Sequence, residues 1–191
     1  MPPILLVHGI YDQPRVFWQM QAHLEQGGRR VHCIGLRPND GSVALAELGR
    51  QVAECVDTEF GEERVIDLVG FSMGGLVSRY YVQRLGGIQR VRRFVSIGAP
   101  HSGTWAAYAH SGAGARDMRP GSAFLRDLDR DAEMLERVGF VSIWTRFDLM
   151  IVPASSSRIA AGRSICVNTP LHPWLLRDGQ VIAMVGKILE R

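Results

Sequence analysis

The heptapeptide Val69-Gly70-Phe71-Ser72-Met73-Gly74-Gly75 decides how the rest of the chain is read. Before it, residues 64–69 form an apolar, β-branched run of the kind that makes a buried strand. After it, residues 76–85 have helical spacing and stop at Gly86-Gly87. Gly70-x-Ser72-x-Gly74 thus falls where a strand turns sharply into a helix. In that setting the pattern is a nucleophile elbow: the turn lifts the serine hydroxyl clear of its backbone, and the flanking glycines relieve crowding. The helix that starts there aims free N–H groups, and the positive end of its dipole, at whatever the serine attacks. The bare pattern also arises by chance, so the flanking strand and helix carry the assignment.

Working outward, Pro3-Ile4-Leu5-Leu6-Val7 reads as a first strand ending in His8-Gly9-Ile10-Tyr11-Asp12. Residues 15–26 read as a helix opened by Pro14 and stopped by Gly27-Gly28. A second strand covers 30–36, and Ser42 is placed to cap a helix reaching Phe60. Beyond the elbow, strands are expected at 91–97, 139–145 and 163–168, and a last helix at 178–189. Residues 103–138 form an irregular insertion with one short helix near 123–128. This alternation predicts an α/β fold: a three-layer α/β/α sandwich on a mostly parallel, doubly wound sheet of about six strands. No repeat or long linker divides residues 1–191, which read as a single domain. In such sheets ligands bind beyond the carboxyl ends of the strands, and every polar motif here falls at one.

The composition bounds the function. Apolar residues make up 46% of the chain and charged ones 21%, an ordinary globular balance, and no apolar run approaches a membrane span. Met1 leads directly into the first strand without a basic, cleavable leader, so a cytoplasmic protein with no stable membrane insertion is expected. Net charge is +3, but the basic residues are scattered. Only Arg29-Arg30 and Arg90-Val91-Arg92-Arg93 cluster, each at a strand entrance, which argues against a nucleic-acid partner. Cys33, Cys55 and Cys166 lack metal or redox spacing and read as buried free thiols. No metal or organic cofactor is expected.

A serine nucleophile needs a base, a group that orients the base, and donors for the oxyanion. In this kind of sheet the partners follow in the order Ser, Asp or Glu, His. After Ser72, Asp148 is the acid that ends a strand and His172 ends the next. Asp117, Asp127, Asp129 and Asp131 lie in the irregular stretch and read as solvated. His8 and His101 precede the acid and read as structural; His23, His32 and His110 lie elsewhere. The amides of Met73, at the start of the elbow helix, and of Ile10, beside Gly9, are the expected oxyanion donors.

On these residues the chain resembles the α/β-hydrolases, and among them small bacterial lipases and esterases. The likeness lies in Val7-His8-Gly9-Ile10, Gly70-Phe71-Ser72-Met73-Gly74-Gly75, Ala99-Pro100-His101-Ser102-Gly103-Thr104, Pro120-Gly121-Ser122-Ala123-Phe124-Leu125 and Asp148-Leu149-Met150-Ile151-Val152-Pro153, in the family's order. Two departures stand out: Leu171 precedes His172 where the family usually has glycine, and the extra N-terminal strands and cap domain of larger relatives are missing. The resemblance implies a minimal, nearly lidless carboxylic-ester hydrolase acting on a small-molecule ester or lipid, with no cofactor. Thioester hydrolysis or acyl transfer could use the same residues, and a non-catalytic binding protein on this scaffold is the remaining alternative. Phe17, Trp18, Phe71, Trp105, Tyr108 and Trp174 are candidates for an apolar acyl groove, with core packing as the competing role. Oligomeric state is not readable from the sequence.

Overall fold

Ile4, Leu5, Leu6 and Val7 expose no surface at all, which requires that both faces of their strand be covered. The computed structural model, which describes residues 1–190, shows how. Strands β1 (Ile4–Val7), β2 (Val31–Ile34), β3 (Ile66–Phe71), β4 (Val91–Ile97), β5 (Val141–Thr145) and β6 (Arg163–Val167) form one sheet. Their order is β2-β1-β3-β4-β5-β6, with every neighbouring pair parallel. The chain runs outward from β1 to β2 and then returns to β3. The switch point between β1 and β3 is the crevice such sheets use for ligands.

Helices α1 (Trp18–Gln26), α2 (Leu45–Phe60), α3 (Met73–Arg84), α4 (Gly87–Arg90), α5 (Ala113–Asp117), α6 (Ala123–Asp129) and α7 (Gly179–Glu190) complete the layers. One core packs α1 and α7 against Ile4, Leu6, Val69 and Val95 of the sheet. The opposite core packs α2 and α3 against Leu5, Val7, Leu68 and Phe94. Alternate residues of β1 thus serve different cores, as the two-residue period of a strand demands. No helix among the described residues is long and apolar enough to cross a membrane.

Several local expectations change. The helix expected over 15–26 opens as a 3₁₀ turn, Pro14–Phe17, before α1 begins. Ser42 does not cap α2; its hydroxyl and amide both bond the Asp40 carboxylate. The amide of Leu45, the first residue of α2, donates instead to Asp117 Oδ2 at 2.9 Å, from the far insertion. That insertion holds α5, α6 and the 3₁₀ segments Trp105–Ala109 and Ala132–Val138. Its acids are not simply solvated. Arg79, fully buried on α3, donates to the Leu128 carbonyl and to Asp129, both at 2.8 Å. Arg84 pairs with Asp127 and Asp131, and Gln83 bonds Asp131. Cys166 is exposed, and Cys33 and Cys55 are only partly buried.

Asp67, the second residue of β3, has no exposed surface and ties the amino end of the sheet together. It accepts from buried Arg29 and from Arg92, and both guanidiniums also reach the Leu189 carbonyl of α7. A buried ion pair that loses one partner strands the other charge. Asp67→Ala should therefore lower stability by about 3–5 kcal/mol, read as a shifted urea midpoint at unchanged slope.

Candidate active site

The elbow is tighter than an L-residue prefers. Ser72 has φ 53° and ψ −126°, a left-handed conformation rare outside glycine. It persists because α3 is pressed against the sheet. A Cβ on Gly70 would lie 2.7 Å from the Gly74 carbonyl oxygen, and one on Gly74 would run into the carbonyls of Val7 and His8. The Ser72 amide donates to the Ile97 carbonyl at 2.9 Å, tying the turn to β4. The serine is thereby held over the carboxyl end of the sheet.

The structure brings Asp148 and His172 to the same end. Asp148, just past β5, accepts at Oδ1 from the Met150 and Ile151 amides (2.9 and 2.8 Å). Its Oδ2 lies 2.6 Å from His172 Nδ1, which donates to it. Both side chains are buried. The His172 ring packs on Phe71 with centroids 4.8 Å apart, and Gly98 covers it so closely that a Cβ there would sit 3.0 Å from Cε1. The second ring nitrogen, Nε2, is buried without a partner among the described residues. That combination leaves a buried ring nitrogen with no partner among the described residues, on a ring that rests on Phe71, the residue before Ser72.

The amides of Ile10 and Met73 also donate to no backbone or side-chain group among the described residues, outside regular pairing. A Cβ on Gly9 would lie 3.0 Å from Ser72 Cβ, so the first loop approaches the serine directly. This loop is pinned from several sides. His8 Nδ1 lies 2.9 Å from the Gly9 carbonyl, and the Leu36 amide donates to His8 Nε2 at 3.0 Å. Tyr11 has φ 60°, with its amide on the Asn39 carbonyl, and the Asn39 side chain donates back to the Asp12 carbonyl. Burial pushes the Asp12 carboxyl up, against the pull of His8, the Gly9 amide and His172.

Of the groove candidates, Phe17 belongs to the core: it is fully buried with Met20 and Leu176 and presents nothing to a ligand. Phe71 is buried too and acts as a platform for His172. Trp18, at the start of α1, and Trp105, Tyr108 and Trp174, on short 3₁₀ segments, are exposed. The cleft at the serine, about 80 Å³, is lined instead by residues such as Ile10, Thr104, Ala107, Met118 and Met150. Thr104 and Met150 lie in strand-end segments visible in the sequence, but which side chains turn inward depends on how the loops meet. Met118, in the irregular insertion, carried no such signal.

His8 and His101 are both held neutral, as structural histidines are. His101 has no appreciable exposure, bonds Ser96 Oγ at 2.8 Å, and is held well below the usual 6.5 by burial and then by Arg79. The unfolded chain takes up a proton there near the ordinary histidine value and the folded chain does not. Stability therefore falls as pH drops below about 6.5, by up to ~1.4 kcal/mol per pH unit from this group. His101→Gln should flatten that acid-side slope relative to wild type in urea unfolding followed from about pH 7 to about pH 5.

Comparison with known proteins places the fold and the family. Solved structures with the same fold include Bacillus licheniformis lipase BlEst2 in its mature form (TM-score 0.79, 16% identity, covering 98% of this chain and 91% of that one). Aspergillus fumigatus lipase B aligns with TM-score 0.80 at 17% identity over all of this chain but 52% of its own length. A Listeria innocua protein aligns with TM-score 0.73 at 16% identity, covering 100% and 94%. The family model described as palmitoyl protein thioesterase matches residues 3–119, from β1 through the elbow into the insertion, which is more than half of the chain. The six-stranded parallel sheet, the elbow and this match together show that the chain belongs to the palmitoyl protein thioesterase family of α/β-hydrolases.

Proposed function

We propose that the protein is a serine acyl hydrolase that cleaves carboxylic esters of small molecules through an acyl-enzyme. The observation that carries the reading is the buried Asp148–His172 contact at 2.6 Å, with His172 Nε2 unpartnered among the described residues and its ring resting on Phe71, next in the chain to the backbone-strained Ser72. His172 Nε2 takes the Ser72 proton as Oγ attacks the carbonyl carbon. Asp148 fixes the ring and stabilises the imidazolium that forms. The Ile10 and Met73 amides hold the developing oxyanion, the second at the positive end of α3. The imidazolium then protonates the leaving alcohol. Water, deprotonated by the same nitrogen, attacks the acyl-serine and releases the carboxylic acid.

Thioester hydrolysis is the second reading, and the family match favours it. The same residues serve it, and a thiolate leaves more readily than an alkoxide, so the base is needed less for departure than for attack. Both readings require Ser72. An alkyl phosphonate ester should label wild type stoichiometrically and leave Ser72→Ala unlabelled; equal labelling of both would remove Ser72 from the mechanism. His172→Ala should lose about 10³-fold or more in kcat, and adding Ser72→Ala should cost little further, because the residues act as a unit.

The ratio of kcat/KM for a butyryl thioester and the matching oxygen ester separates the two substrate classes. His172→Ala is the discriminating variant. A thioester rate that falls by less than the ester rate is expected if His172 protonates the alcohol leaving group. Equal losses on both substrates would confine its role to activating Ser72.

A further inference from the structure

An acyl group attached to Ser72 has to lie in space that this serine borders. The cleft that meets this condition is small, about 80 Å³. An apolar cavity of about 150 Å³ takes one benzene, and sites for larger ligands usually span ~300–1,000 Å³. The cleft therefore shelters only a few carbons beyond the carbonyl. Its inner side is formed by buried residues, Met118, Ala107 and Thr104, while Met150 and His110 stand at its exposed edge. Larger hollows of about 320 and 330 Å³ open around Trp18 and around Trp174, but Ser72 borders neither of them. They offer no shelter to a chain carried on that serine.

The walls are stitched together. The Thr104 amide donates to the Met118 carbonyl at 2.8 Å, and its hydroxyl donates to the Met150 carbonyl at 3.0 Å. The Val152 amide donates to that hydroxyl at 2.9 Å, and the Trp105 amide to the Val152 carbonyl at 2.9 Å. One threonine thus fixes the loop after β4 to the segment after Asp148 and to the stretch carrying Met118. Behind Met118 the chain is solid core, shared with Ala107 and Leu125. A longer acyl chain must push Met118 into that core or lie across the exposed rim in water.

Resting on the reading of Ser72 as the acyl-accepting nucleophile, we propose that this site selects short acyl groups, with Met118 as the residue that sets the limit. Met118 touches the acyl end of the substrate and no part of the reacting centre. Changing its volume should shift chain-length preference without removing activity. A single methylene that fits or fails to fit such a pocket changes kcat/KM by about 10–200-fold.

The test is kcat/KM for dissolved p-nitrophenyl acetate, butyrate, hexanoate, octanoate and decanoate, with Ser72→Ala as the blank. Wild type should be fastest on acetate or butyrate and slower by about tenfold or more on octanoate. Met118→Ala should move the maximum to hexanoate or octanoate, and Met118→Phe should confine activity to acetate. Because the two substitutions push the profile in opposite directions, a general loss of stability cannot imitate them. Should Met118→Ala not fold, Met118→Val and Met118→Phe make the same comparison. A wild-type maximum at octanoate or decanoate, or Met118 variants whose profiles run parallel to wild type, would overturn the proposal while leaving Ser72 in place. Absence of any Ser72-dependent hydrolysis across the series would instead overturn the reading of Ser72, and this inference with it.

Discussion

The packing of α3 against β1 and β3 is the constraint on which the rest of the site depends. It holds Ser72 in a backbone conformation that an isolated serine would leave, with a cost on the order of 1–3 kcal/mol. Only residues without side chains can stand at the closest points, which is why Gly70 faces the Gly74 carbonyl and Gly74 faces those of Val7 and His8. The same contact brings the start of α3 beside the β1 loop. The amides of Met73 and Ile10, which have no partner among the described residues, consequently come from elements that are adjacent in the sheet though far apart in the chain. Strain, approach and free donors are three consequences of one packing arrangement.

Around this centre, the loops beyond the strands are braced chiefly by one another. Thr104 links the segments after β4 and β5, and Asp148 folds back to accept two amides of its own loop while orienting His172. On the other side of α3, Arg79 and Arg84 grip the insertion through Leu128, Asp127, Asp129 and Asp131. The helix that carries the serine at one end therefore anchors the long insertion along its length. Exposed members of these ion pairs contribute little individually. The buried guanidinium of Arg79, bonded to a carbonyl and a carboxylate, gives the insertion a defined seat.

Three histidines are buried near the carboxyl ends of the strands, and what distinguishes them is where their nitrogens are spent. His8 has both nitrogens engaged, by the Gly9 carbonyl and the Leu36 amide. His101 is committed to Ser96 and is surrounded closely enough that protonation is strongly disfavoured. His172 alone of the three is bonded to a carboxylate; its Nε2, like Nδ1 of His101, has no partner among the described residues. Burial is common to all of them; the partners differ, and His172 is the one whose ring faces a carboxylate.

Much of this was legible in the chain itself. Six apolar runs, the stops at Gly27, Gly61 and Gly86, and polar motifs following each strand specify a parallel sheet with its functional loops on one end, because strand and helix periodicities are local properties. Chain order and placement at strand ends together picked Asp148 and His172, which lie 2.6 Å apart, since few acids and histidines after the serine end a strand. Local pattern was not enough where a distant group outcompetes a near one. Asp117 rather than Ser42 receives the first amide of α2, and Asp127, Asp129 and Asp131 of the insertion, still partly exposed, also pair with arginines of α3. Phe17 and Trp18 are adjacent in sequence, yet one is core and the other rim. The size of the cleft at Ser72 is likewise a tertiary property: Met118 reaches it only because Thr104 joins three segments that share no sequence periodicity. Side-chain alternation and chain order are written residue by residue, whereas the volume left between loops exists only once those loops have met.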